Sequence, residues 1–96
     1  MAGFDARFRW TSKSLTPAAV AANTTAEQDF TNIPLVDAED MVVGVQKPTA
    51  QAGLGIVGAR VSAAGQISLT FSNNTGSSIT PTADQTYDFL ISKKQP

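Results

Sequence analysis

The chain contains no cysteine and no histidine among its 96 residues. Without thiols there is no disulfide network to reinforce a weak core, no thiolate nucleophile and no cysteine metal ligand. Without imidazole the commonest general base and a preferred zinc ligand are both missing, which excludes nucleophilic catalysis of the Ser-His-acid kind. Charge is sparse too, at 16% of residues and a formal net charge of −1. No apolar run approaches the roughly 20 residues that span a bilayer, and residues 1–13 lack the apolar centre of a secretory signal. The expectation is a soluble chain, made in the cytoplasm, with no membrane partner.

What is present suits one small globular domain. An apolar share of 42% lies outside the low-hydrophobicity regime of disordered chains, and the length allows a single core. The few charges are unevenly placed. Residues 1–14 carry Arg7, Arg9 and Lys13 against Asp5, residues 15–46 carry five carboxylates and no cation, and the remainder is again net basic. Phosphate binding needs clustered cations away from carboxylates, so nucleic acid is not expected as a partner. The polarity suits head-to-tail contact between protein subunits.

The clearest local pattern runs over residues 54–71, LGIVGARVSAAGQISLTF, two alternating apolar runs joined at Ala63-Ala64-Gly65. Side chains that recur every second residue, with glycine where the backbone reverses, predict a β-hairpin. Ile67, Leu69 and Phe71 are expected in the core, with Gln66, Ser68, Thr70 and Ser72 in water. Residues 86–92 repeat the pattern with Tyr87, Phe89 and Ile91 on one side, and MVVGVQ at residues 41–46 reads as a compact strand ended by Lys47-Pro48. Residues 15–23 are compatible with a short helix or an edge strand, and residues 24–36 offer Phe30, Ile33 and Leu35 to the core, with Pro34 limiting them to an edge or bend. DAED at residues 37–40 reads as an exposed connection, and NNTGSS at residues 73–78 as a turn cluster shaped by Asn73 and Asn74. The fold class is all-β: a small β-sandwich or β-barrel of five to seven antiparallel strands, with an extended N-terminal arm. The expected division is an arm at residues 1–14 and a single β-domain at residues 15–96.

Within the arm, GFDARFRWTSKS interleaves Phe4, Phe8 and Trp10 with Arg7 and Arg9. Three large aromatics left in water are a poor arrangement for a tail, so they either fold back onto the body or cover a neighbouring subunit. Aromatics and arginine anchor interfaces, which makes Phe4, Arg7, Phe8, Arg9 and Trp10 the candidate protein-interface residues. For catalysis only a carboxylate pair is left, drawn from Asp37, Glu39, Asp40, Asp84 and Asp88, and no pattern in the sequence buries and tunes such a pair. DAED lacks the spacing of a calcium loop, and Gly53-Leu54-Gly55 is not followed by the rest of a phosphate-binding motif. The expectation is a chain that is not an enzyme and has no catalytic residues, no metal and no cofactor.

The run VVGVQKPTAQAGLGIVGARVSAAGQISLTFSNNTGSSITPTADQTYDFLI is similar to a recurrent domain in small virion-associated proteins of tailed bacteriophages, often read as capsid decoration or head-associated proteins. The resemblance covers residues of about 24–92 and is carried by the valine strand, Lys47-Pro48, Gly53-Leu54, Ala59-Arg60-Val61, the Gly65 turn, Phe71-Ser72-Asn73, Ile79-Thr80-Pro81 and Tyr87-Asp88-Phe89. It implies a β-rich accessory subunit on the virion, at the capsid surface, that binds the major capsid protein and tightens contacts between its copies. It also implies a homo-oligomer, a trimer at threefold positions. A tail, fibre or knob module binding a host-surface glycan or another virion protein is the alternative, which exposed aromatics on loops would favour.

Overall fold

The computed structural model describes residues 7–94. Six antiparallel strands build two three-stranded sheets: β1 (Phe8–Leu15), β2 (Thr24–Phe30), β3 (Met41–Gln46), β4 (Leu54–Ala63), β5 (Gln66–Asn73) and β6 (Gln85–Ser92). Sheet I has the order β1-β6-β3 and sheet II the order β2-β5-β4. Only the β4–β5 hairpin stays within one sheet; every other connection crosses between sheets. This is the expected β-sandwich.

The two central strands supply the core because they alone are paired on both edges. Ile67, Leu69 and Phe71 of β5 face Tyr87, Phe89 and Ile91 of β6, and all six are fully buried. Each of the aliphatic and phenylalanine side chains among them contributes roughly 1.5–3 kcal/mol of transfer free energy. Leu15, Val20, Ile33 and Val36 close the ends, while Val42, Val45, Ile56 and Val61 on the outer strands are partly buried against this centre.

Three sequence expectations are corrected here. Residues 8–14 are not an arm: they form β1, paired with β6 from Phe8↔Ser92 to Leu15↔Gln85. Leu35 is 55% exposed and Val36 takes its place in the core. Leu35 has a positive φ of 65°, which turns the chain after Pro34 and sends the next side chain inward. Ser68 faces outward from sheet II yet is fully buried, because its hydroxyl is covered by Asp29 and Ser62, at 2.5 and 2.8 Å.

Local chemistry fixes the loops. Gly65 has φ of 69° at the hairpin turn, as expected, and its amide donates to the Val36 carbonyl at 2.8 Å, closing one end of the sandwich. At the other end Asn73 is buried and its side-chain amide is saturated. Nδ2 donates to the carbonyls of Val20 and Ser77, and Oδ1 accepts from the amide and the hydroxyl of Thr75. Gly53, with φ of 80°, lies so close to Thr75 that a Cβ would collide with it.

Candidate docking face

In an antiparallel ladder, residues directly opposite one another project from the same face. On the outer face of sheet I this produces three successive rows: Phe8–Ser92–Met41, Trp10–Leu90–Gly44 and Ser12–Asp88–Gln46. The register slips between Val42 and Gly44, a β-bulge that turns Val43 outward beside the second row. Phe8, Trp10, Met41 and Val43 are 57%, 66%, 67% and 52% exposed. The outer face of sheet II is different. It carries Thr25, Glu27, Asp29, Ser68, Thr70 and Ser72, with Arg60 gripping Glu27 through two hydrogen bonds of 2.8 and 2.9 Å. A bulge between Ile56 and Gly58 turns Val57 outward here, 64% exposed, so one face of the sandwich carries four exposed large apolar side chains and the other carries one.

The candidate interface residues are therefore not brought together as a set. Phe4 lies outside the described residues. Phe8 and Trp10 share the outer face of sheet I. Arg9 is paired with Ile91, so it projects from the opposite face of β1, beside the core, and stays exposed at the sheet edge. Arg7 precedes β1, where its carbonyl accepts the Lys93 amide at 2.8 Å. Met41, Val43 and Leu90 belong to the face and were missed. Their signals were an apolar residue at an outward position of β6, where alternation calls for a polar one, and an apolar run in β3 with no polar alternation.

Several of the charged groups are bound up in clasps. Asp40, expected in an exposed connection, is buried: Lys93 Nζ reaches its Oδ2 at 2.5 Å and the Asp37 amide donates to the same oxygen at 2.8 Å. Burial opposes ionisation of Asp40, but the hydrogen bonds from Lys93, Asp37 and Lys94 outweigh it and hold the carboxyl below its ordinary value. The Asp40 hydrogen bond raises Lys93 in turn, against its own burial. Glu39 meets Lys94 at 3.7 Å. Asp84 accepts from Thr16 and Asp88 from Ser12. The acidic candidates thus lie apart, except for Asp37 and Asp40, which share the Lys93 ammonium.

A hollow of about 280 Å³ opens where β3 and β4 diverge, lined by Val45, Lys47, Gln51, Leu54 and Ile56. Burial pushes the Lys47 ammonium down, and its hydrogen bonds go to Thr49 and Gln85. No group of three or more metal-ligating side chains occurs among the described residues, and no helix there is long and apolar enough to cross a membrane.

Fold and face define a small β-sandwich whose exposed large apolar side chains are concentrated on one outer surface. Comparison with known protein families, with curated proteins and with solved structures finds no match to the chain.

Proposed function

We propose that this chain is an accessory structural subunit that works by adhesion, docking the outer face of sheet I on the major capsid protein at the surface of a tailed-phage head. The observation that carries the adhesive reading is the asymmetry of the sandwich. Four large apolar side chains stand more than half exposed on or beside sheet I rows that contain a single formal charge, while the matching face of sheet II has one, Val57, among polar and charged residues. Exposed apolar surface of this kind marks an interaction site, and tryptophan near its centre is the residue type that dominates interface energetics. The setting on a phage head, and the threefold grouping of copies, rest on the resemblance of residues 24–92 alone.

Repetition suits the role. A small face gives modest affinity, and many neighbouring copies on one particle multiply its effect. The glycan-binding alternative draws nothing from the aromatics, since every described aromatic side chain lies in a strand.

The test uses heads assembled without this chain. The double variant Trp10→Ser, Met41→Ser alters only exposed side chains, so it should fold normally while binding at least roughly 30-fold more weakly, the equivalent of about 2 kcal/mol for one interface anchor. Full occupancy by the double variant would dispose of the proposal.

A further inference from the structure

We infer that the partner inserts one arginine side chain into the hollow between Trp10 and Val43 on sheet I. This inference rests on the reading of that face as the docking surface and names what it recognises. The hollow measures about 220 Å³. Leu90 is its floor, Trp10 and Val43 rise on either side, and Gln46 and Asp88 stand at one end.

Gly44 keeps it open. A glycine within a strand weakens that strand and needs a reason. The adjoining bulge is one such reason; beyond it, Gly44 has no positive φ and a Cβ built on it would meet nothing within 4 Å. The space above Gly44 is vacant within this chain, and glycine in a strand often marks where another polypeptide approaches closely.

The lining specifies the occupant. An aliphatic floor beside an indole suits the methylene stem and planar head of a long cationic side chain. The Asp88 row lies two residues further along the strands, about 7 Å away, within reach of that head. Asp88 is the only formal charge on the three rows. Its Oδ1 accepts from the Ser12 hydroxyl at 2.6 Å, and no cation among the described residues pairs with it. An apolar socket with an unpaired carboxylate at its end is complementary to a guanidinium, which stacks on the indole plane and donates to the carboxylate in a fixed fork.

The test is an NMR titration of the isotope-labelled full chain with N-acetyl-arginine methylamide, with the lysine and norleucine analogues as further arms. The arginine probe should shift the Trp10 indole N–H and the Gln46 side-chain amide saturably. Lysine should bind more weakly and norleucine at least fivefold more weakly. Gly44→Val should remove the shifts, since its Cβ meets nothing within 4 Å and the added methyl groups take up space in the socket, and Asp88→Asn should weaken binding at least fivefold. Amide resonances remote from the face report that both variants remain folded. Norleucine binding as well as arginine, an unaffected Asp88→Asn variant, or a flat arginine titration would each overturn the inference. The last result, combined with loss of head binding by the Trp10→Ser, Met41→Ser variant, would leave the docking face standing and remove only the arginine.

Discussion

Tyr87 sits at the centre of the molecule with its ring fully buried and its hydroxyl without a hydrogen-bond partner among the described residues. Burial pushes its ionisation up, as expected for a phenol surrounded by hydrocarbon. A buried hydroxyl that gives up water and gains no partner costs about 1–3 kcal/mol. Phenylalanine keeps the ring and loses that cost. Tyr87→Phe should therefore raise stability by about 1 kcal/mol, read as a higher urea midpoint at unchanged slope. A lower midpoint would mean that an ordered water satisfies the hydroxyl. Asn73 is the contrasting case: equally buried, but with every donor and acceptor of its amide in use. The two residues show that burial by itself does not tell whether a polar group holds the fold together or is tolerated by it.

Among the elements, β1 is the one whose sequence conceals its structure. FRWTSKSL places Arg9, Thr11, Lys13 and Leu15 on the core side and Phe8 and Trp10 outside, an inverted pattern. Inward-pointing charge on an edge strand discourages pairing with a further strand, and Thr11 is accommodated in the interior because its hydroxyl donates to the Pro34 carbonyl at 2.7 Å. Removal of residues 1–14 would strip this strand from β6 and uncover Tyr87 and Phe89, so that deletion should abolish the folded state, whereas removal of residues 1–6 should leave it intact. Amide dispersion in an NMR spectrum separates the two outcomes, and a well-dispersed spectrum from the longer deletion would contradict the role given to β1. The hairpin β4–β5 and the strand β6 were legible because alternation and turn chemistry are local. Asp40 and Leu35 were not, since what buries one and turns the other out is set by Lys93 and by the path of the loop after Pro34. The docking face was half legible for the same reason. Its aromatics are conspicuous in sequence, but only the β1–β6–β3 register aligns them with Met41, Leu90 and Gly44.

At the scale of the whole molecule, the first and last strands are partners. β1 and β6 pair along their full length, and the Ser12–Asp88 contact joins residues 76 apart. Sheet I cannot form until the last strand is available, and folds dominated by such pairings reach the native state in milliseconds to seconds. The same adjacency can be exploited. The Lys93 amide donates to the Arg7 carbonyl, so a short glycine-containing turn can lead from Lys94 back to Arg7 and make β6–β1 a hairpin. New ends opened between Thr49 and Ala50 would fall in an exposed loop outside both sheets. Replacing a chain-long closure by a turn lowers its entropic cost by about 2 kcal/mol. The circular permutant should therefore keep the native spectrum and refold roughly tenfold faster in stopped-flow dilution from urea. An unchanged rate would place the docking of β1 on β6 after the folding barrier, leaving the β4–β5 hairpin and the sheet II pairing to set the speed.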